Sequence, residues 1–264
     1  MLVFSNCKIN LGLNVINKRL DGFHNLKTVF YPINWLDALE VIEDDRSKNG
    51  FSFSQSGLTI DVPIENNLIY KAWQLINNKT KLPPIKVNLV KRIPMGAGLG
   101  GGSSNAAYFI TLINSKFELG LSSNDMIQLS AQIGSDCAFF INNKPVFAEG
   151  KGDVLSSINI NLNQYYILLV FPNIYCNTKD AFNNLVYQTP TNELKTIIEE
   201  IPIDEWKNNL VNDFEQSIFL KHPKIKELKE QIKSTKERTA QATIVLHAEE
   251  VEQKHKEIKR ARET

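Results

Sequence analysis

One stretch of the chain has residue types and a spacing that point directly to chemistry. In PMGAGLGGGSSNAA, from Pro94 to Ala107, five of the seven residues from Gly96 to Gly102 are glycine. Glycine at this density weakens a helix or strand by about 0.5–1 kcal/mol per residue, so the segment must use what glycine offers. Glycine offers positive φ angles and close approach of the backbone to another group.

The flanks of this glycine loop indicate what approaches it. IKVNLVKRI alternates apolar and polar residues and predicts a strand, whereas SSNAAYFITLI begins with capping oxygens and predicts an apolar helix. A strand, a glycine loop and a helix start form an anion site, because free N–H groups converge there and the helix end carries about +0.5 of a charge. Phosphate is the expected guest, and a glycine turn without a ligand is the alternative.

Three known nucleotide motifs do not fit this loop. The P-loop of NTPases requires Lys before Ser or Thr, but Gly102 runs directly into Ser103. The dinucleotide fingerprint is formally present at Gly96, Gly98 and Gly101, yet no strand places an acidic residue about 20 residues later. A protein-kinase loop requires HRD and DFG motifs, and the sequence contains neither. A dinucleotide-dependent oxidoreductase is therefore a weak alternative.

Polar residues outside the loop are further candidates. Lys8 and Asn10 are two apart on a predicted strand, so both side chains leave the same face. Asp136 follows a predicted helix stop and is either a cap or a carboxylate available to a hydroxyl group. His24 lies beside Phe23 just after a predicted turn, where an aromatic ring and an imidazole could hold a base.

Composition limits the class of protein. The 264 residues are 42% hydrophobic and 22% charged, which is typical of a globular protein, and the net charge of +1 argues against a nucleic-acid surface. No apolar run is long enough to span a membrane. The three cysteines fit neither a disulfide framework nor a zinc pattern, which favours the cytoplasm and predicts no metal site in the protein.

The elements that must position these residues are mixed strands and helices, which predict an α+β fold. Asp21–Gly22 predicts a hairpin, Ser123 or Asn124 the cap of a helix, and Asn142–Asn143 a second hairpin. YYILLVF, from residue 165, predicts a buried strand. All 13 glycines lie at or before Gly152, so we predict two domains, 1–154 and 155–264, with an atypical charged tail from about residue 235.

Taken together, these residues resemble one family. PMGAGLGGGSSNAA resembles the second motif of the GHMP small-molecule kinases, and the resemblance extends from about Asn6 to Phe182. It includes KINLGLNVINKRLDGFHNLKTVF, GSDCAFF, AEGKGDVL and CNTKDAF in the family's order and spacing. The resemblance implies an S5-like N-terminal domain, a ferredoxin-like C-terminal domain, and transfer of the ATP γ-phosphoryl group to a hydroxyl of a cytidine-diphospho sugar alcohol.

The resemblance also implies roles for individual residues. Asp136 would orient or deprotonate the acceptor hydroxyl, with Lys8 stabilising charge and Asn10 holding the substrate. His24 would read cytosine, with Phe23 (usually Tyr in the family) and Phe182 as stacking partners. Asn67 would contact the adenine or ribose of ATP, and Mg²⁺ is expected with the nucleotide. The phosphate loop would comprise Pro94, Met95, Gly96, Ala97, Gly98, Leu99, Gly100, Gly101, Gly102, Ser103 and Ser104.

The C-terminal end departs from the family pattern. A third, glycine-rich motif should follow PKIKELKEQIKS, but TKERTAQATIVLHAEE stands there instead. Long charged side chains do not allow the same close backbone approach. The sequence therefore predicts an incomplete second domain and low or absent activity, with a nucleotide-binding remnant of the kinase as the alternative function. A monomer or homodimer is expected.

Overall fold

A computed structural model describes residues 1–170, the single positions 172, 174, 182, 185 and 187, and residues 193–234. The predicted charged tail from about residue 235 lies outside the described residues. The division into domains at 154/155 stays a prediction.

A long hairpin forms the centre of the fold. β1 (Leu2–Lys18) and β2 (His24–Glu43) pair antiparallel, with Leu2 opposite Glu40 at one end and Lys18 opposite His24 at the other. The turn between them contains Gly22 at φ 84°, which confirms the hairpin predicted at Asp21–Gly22. The hairpin register shifts at three places in β1, but not between Lys8 and Asn10. Their side chains therefore share one face, as the spacing predicts.

Four shorter strands complete a six-stranded sheet. They are β3 (Phe51–Gly57), β4 (Ile85–Lys91), β5 (Val146–Glu149) and β6 (Val154–Ser157). β2 pairs with β1 on one edge, while its other edge is shared by β5 at Thr28–Phe30 and β4 at Ala38–Glu43. β3 runs parallel to β4. The end of β4, which leads to the glycine loop, therefore lies beside Asp37 and Ala38 of β2.

Helices cover both faces of the sheet. The four helices that precede β5 are α1 (Leu68–Lys79), α2 (Gly101–Lys116), α3 (Ser123–Ala131) and α4 (Cys137–Asn142). The helices described after β6 are α5 (Leu194–Glu200), α6 (Trp206–Asn209), α7 (Phe214–Lys221) and α8 (Pro223–Ser234). This mixture of helices and an antiparallel-dominated sheet confirms the predicted α+β class. None of the helices in the described ranges is long and apolar enough to cross a membrane.

Two large apolar clusters hold these layers together. One joins α1, α2 and α3 to β2 and β4 through residues such as Leu39, Val87 and Phe109. The other joins the odd-numbered face of β1 to α5 and α6, with Ile9 in contact with the same cluster as Leu194. Each fully buried aliphatic or aromatic side chain contributes about 1.5–3 kcal/mol to stability. The sheet is thus fixed from both sides, and its polar residues must lie at its ends or in defined gaps.

Three local predictions are wrong. Residues 137–142 form α4 instead of a strand, so the second hairpin turns at 150–153 and not at Asn142–Asn143. Buried Phe139 and Phe140 explain this, because a short helix packs both rings against Phe30 or each other. The run from residue 165 is not a buried strand, since Tyr166 is fully exposed. The cap of α3 is Ser122, one residue before the predicted position.

The cap at Ser122 gives a direct test of this assignment. Ser122 and Asp125 form a reciprocal capping box, in which each side chain accepts from the other residue's N–H group. Ser122→Ala should lower the free energy of unfolding by about 1 kcal/mol. Asn124→Ala, inside the helix, should cause no loss, because alanine is the better helix former. Urea unfolding of both variants measures the difference, and equal losses would contradict the assignment.

Candidate active site

Lys8 lies at the centre of a polar cluster on the even-numbered face of β1. Its side chain is 6% exposed, and its Nζ donates to Asn10 Oδ1 at 2.7 Å. Asn10 Nδ2 donates to Thr28 Oγ1 on β2 at 2.8 Å, and Thr28 donates to the carbonyl of Gly12. The Lys8 ammonium also lies 4.9 Å from the centre of the Phe30 ring. This chain of contacts fixes the ammonium group at one place.

Asp136 reaches this ammonium from the other side. It precedes α4, but its carboxylate makes no capping hydrogen bond to that helix. Instead, Asp136 Oδ2 lies 3.4 Å from Lys8 Nζ, with 29% of the Asp136 side chain exposed. The carboxylate is thus paired on one side and open to solvent on the other. The Asp136 side chain therefore does not cap the helix, and its carboxylate is available to a ligand.

The glycine loop runs beside this pair. Its backbone adopts positive φ at Gly96 (70°), Gly98 (71°) and Gly100 (67°), which residues with a Cβ rarely adopt. Ala97 and Leu99 point into the apolar cluster below, whereas Met95, Gly96 and Gly98 are exposed. The carbonyl of Leu99 accepts from the N–H of Lys8 at 3.0 Å. Buried and exposed residues thus alternate along the loop. Ala97 and Leu99 anchor it, and the backbone at the glycines beside them faces outward.

The loop ends in the first turn of α2, which supplies further polar groups. Ser103 Oγ and the thiol of Cys137 lie beside each other next to Gly134, so the start of α2 is close to the segment that carries Asp136. Burial raises the pKa of Cys137 to about 12, so this thiol stays protonated. Ser104 Oγ is buried and has no hydrogen-bond partner among the described residues. A buried oxygen without a partner is costly unless a ligand satisfies it.

A buried ionic network below the loop was missed from the sequence. Lys91, the last residue of β4, pairs with Asp37 of β2, and the two side chains are 1% and 0% exposed. Asn105 of α2 joins them, donating to Asp37 at 2.9 Å and accepting from Lys91 at 3.1 Å. Burial lowers the pKa of Lys91, and the Asp37 carboxylate opposes that shift. The signal available was a lysine at the end of the predicted strand, three residues before Pro94 of the glycine loop.

Asn67 lies at a cleft next to the loop. Its Oδ1 accepts from the N–H of Ile69 at 2.9 Å and so caps α1. Asn67 also lines a cleft of about 520 Å³ whose walls include the rings of Phe51, Phe53, Tyr70 and Trp73. The next residue, Leu68, lies 3.8 Å from the position that a Cβ on Gly102 would take. The aromatic cleft and the start of α2 are therefore adjacent.

The predicted base-binding residues lie at the far end of the hairpin. The rings of His24 and Phe182 stack at 4.3 Å with an interplanar angle of 13°, so the structure brings these two together. Phe23 is 57% exposed, and the ammonium of Lys151 lies 5.0 Å from its ring centre. Burial, helped by the charge of Lys18, lowers the pKa of His24, so its imidazole is neutral at pH 7.

Lys8 and His24 lie on the same face of the hairpin, Lys8 on β1 and His24 on β2. Thr28, which holds Asn10, and His24 are four residues apart on β2, so their side chains share a face about 13 Å apart at about 3.3 Å per residue. The structure thus contains three regions: the aromatic cleft at Asn67 next to the start of α2, the Lys8–Asp136 pair beside the glycine loop, and the aromatic group around His24 at the far end of the hairpin. No cluster of three or more His, Cys, Asp or Glu side chains suited to a metal ion occurs in the described part of the chain.

Comparison with known proteins identifies the family of this chain. The family model described as the GHMP kinases N terminal domain matches residues 67–144. A relative from Bacteroides fragilis is 47% identical over 89% of this chain and 85% of its own length, and is named 4-diphosphocytidyl-2-C-methyl-D-erythritol kinase. A relative from Parabacteroides distasonis with the same name is 43% identical over 87% of this chain and 83% of its own.

Solved structures agree with these relatives. A crystal structure of 4-(cytidine 5'-diphospho)-2C-methyl-D-erythritol kinase superposes with a TM-score of 0.69 and 25% identity, covering 89% of this chain and 83% of that one. The mevalonate kinase of Methanococcus jannaschii, at a TM-score of 0.53 and 14% identity, shares the fold. The predicted GHMP-kinase fold is confirmed.

Two neighbouring glycines at the start of α2 allow a test of the packing below the loop. A Cβ on Gly101 would lie 2.8 Å from Ile93 Cγ2 and 2.9 Å from Lys91 Nζ, whereas a Cβ on Gly102 has no atom closer than 3.8 Å. Gly101→Ala should therefore destabilise the protein by about 1–3 kcal/mol through overpacking. Gly102→Ala should be neutral or stabilising, because alanine favours the helix by up to about 1 kcal/mol. Thermal unfolding compares the two, and equal melting temperatures would contradict the packing described.

Proposed function

The chain belongs to the GHMP kinases, and we propose that it transfers the γ-phosphoryl group of ATP to the 2-hydroxyl group of 4-diphosphocytidyl-2-C-methyl-D-erythritol, a step of non-mevalonate isoprenoid biosynthesis. The observation that carries this proposal is the Lys8–Asp136 pair beside the glycine loop. A protein that only bound a nucleotide would need neither side chain. Relatives that carry this kinase name over most of their length support the choice of substrate.

Phosphoryl transfer requires positioning and stabilisation of charge more than covalent chemistry. The open side of Asp136 would accept the proton of the acceptor hydroxyl, or orient that hydroxyl, as its oxygen attacks the γ-phosphorus. Lys8, held by Asn10 and Phe30, would stabilise the negative charge that spreads over the transferred group. Fixing the ammonium before the substrate arrives avoids reorganisation during the reaction.

ATP would extend from the glycine loop to the aromatic cleft. The outward-facing backbone at Gly96 and Gly98, together with the start of α2, would receive the phosphates. The cleft at Asn67 would receive the adenosine, since its aromatic walls suit a flat base and it adjoins Gly102 through Leu68.

Mg²⁺ would enter with ATP and neutralise charge on its phosphates. The hydroxyl of Ser104 is buried without a hydrogen-bond partner among the described residues, and it is a protein oxygen that a phosphate or its bound ion would satisfy.

The acceptor would lie along β2 from the reacting pair to His24. A neutral imidazole has one donor and one acceptor nitrogen, which suits the edge of cytosine. Phe182 stacks directly on His24, so we propose that Phe182 holds the imidazole ring in its orientation. The exposed ring of Phe23 would stack on the cytosine base. The stretch of β2 from Thr28, which holds Asn10, to His24 spans about 13 Å and would lie beside the diphosphate and the sugar alcohol.

The proposal includes a cytoplasmic location, where ATP is available, and leaves a monomer or homodimer as a prediction. The alternative of an impaired remnant depends on residues from about 235 onward, which lie outside the described residues. No relative named above gives that alternative any support.

The role of Asp136 can be tested by turnover. The purified chain with Mg-ATP should release ADP only when the cytidine-diphospho methylerythritol is present. Asp136→Asn should lower kcat about 100- to 10,000-fold, the usual contribution of a general base, with ATP affinity by calorimetry within about twofold. Asp45→Asn, an exposed carboxylate on another part of the surface, is the matched control and should be unchanged. Substrate-independent ADP release, or full activity of Asp136→Asn, would contradict the proposal.

The proposed role of His24 predicts that KM depends on pH for the cytidine substrate and not for ATP. Its lowered pKa keeps the imidazole neutral at pH 7, and protonation at lower pH removes the acceptor nitrogen. KM for the cytidine substrate should therefore rise as pH falls below the ordinary imidazole range, by up to about tenfold per unit, while KM for ATP changes little. His24→Gln should have a raised KM that is flat with pH. A parallel rise in both KM values would exclude this role.

A further inference from the structure

The buried pair of Asp37 and Lys91 has no contact role in the reaction proposed above. Both side chains are inaccessible to solvent, at 0% and 1% exposure, and their hydrogen bonds go to other protein groups, so neither contacts the nucleotide in the proposed site. Burying two charges is unfavourable unless their geometry and hydrogen bonds compensate for the lost water. An apolar pair of similar volume would often serve stability equally well. The bonds that the pair makes show what else it does.

Asp37 holds the entrance to the glycine loop. Its Oδ1 accepts from the backbone N–H groups of Arg92 and Ile93, at 2.6 and 2.8 Å. These are the two residues between the end of β4 and the loop, and Ile93 is fully buried. Because one carboxylate oxygen accepts both bonds, the chain enters the loop in a fixed direction.

The same pair holds the exit from the loop. Oδ2 of Asp37 accepts from Lys91 Nζ and from Asn105 Nδ2, which lies in the first two turns of α2. Lys91 Nζ donates in addition to Asn105 Oδ1 and lies directly below Gly101, where a Cβ would be 2.9 Å away. Asn105 also donates to Ser5 Oγ of β1 at 2.8 Å. The start of α2 is thus bonded to the same two charges as the entrance.

We propose that Asp37, Lys91 and Asn105 are positioning residues for ATP, which set the distance and angle between the two ends of the glycine loop so that its N–H groups converge on the phosphates. This inference rests on the proposed function. A positioning role and a purely structural role have different consequences. If the network positions the loop, loosening it should weaken nucleotide binding and leave the acceptor site along β2 unchanged.

Three variants separate positioning from stability. Asn105→Ala removes the connection to α2 and leaves the ion pair intact. Asp37→Asn with Lys91→Met in one chain removes both charges, so no unpaired charge stays buried and the fold is retained better than in either single variant. Glu43→Gln with Lys116→Met is the matched control, because this surface pair joins the same β2 and α2 at the far end of the helix, at 2.8 Å.

The measurements are the dissociation constant of a non-hydrolysable ATP analogue by calorimetry, KM for each substrate, and the melting temperature. We expect Asn105→Ala and the charge-free double variant to weaken analogue binding and raise KM for ATP at least fivefold, with KM for the acceptor within twofold. The control variant should match the wild type in analogue affinity, in both KM values and in melting temperature. Wild-type analogue affinity in folded Asn105→Ala or in the folded double variant would overturn the inference, as would an equal rise in both KM values.

The outcome for the proposed function is separate. A wild-type chain that binds the analogue but shows no acceptor-dependent turnover would count against the proposed reaction alone. The analogue affinities of the variants would then still decide whether the network positions the loop.

Discussion

Two lysine ammonium groups are buried at the end of the sheet where the glycine loop begins, and each must be surrounded by oxygen atoms from several elements. Lys8 is compensated by Asn10 on its own strand and by Asp136 ahead of α4. Lys91 is compensated by Asp37 on β2 and Asn105 on α2. A buried charge without such partners is strongly destabilising. β1, β2, β4, α2 and the segment before α4 are therefore held in a single relative arrangement, and the glycine loop lies between the two charges.

This constraint explains why the site is built on rigid elements with only its backbone in a loop. The charged side chains come from strands and helix starts, where packing fixes their rotamers. The loop contributes N–H groups, which need no rotamer but need a backbone without Cβ atoms at φ near +70°. β2 then connects this region to the aromatic group at His24, because its regular spacing places every second side chain on the same face. One strand thus sets the distance between the two ends of the proposed acceptor site.

Much of this could be predicted from the sequence, because the strongest local signals are also the structural ones. Asp21–Gly22 marks the hairpin, the strand and helix around the glycine loop are clear, and the spacing of Lys8 and Asn10 gives their shared face. The features that the sequence did not predict depend on contacts between distant segments. Phe139 and Phe140 resemble a strand by composition, and only their packing against Phe30 and each other makes a helix there. Asp37 resembles a solvent-facing strand residue, since its partners are 54 and 68 positions away along the chain.

The glycines at positions 100 and 101 have neighbours below the loop as well as the phosphate expected above it. A Cβ on Gly100 would lie 3.1 Å from the Phe140 ring and 3.2 Å from Lys8 Cε, and Gly101 is closed by Ile93 and Lys91 in the same way. Mutational drift at these two positions is therefore opposed by the folded protein itself, even where no substrate is present. A descendant of this chain that had lost its reaction would still be selected to keep both glycines for as long as it had to fold.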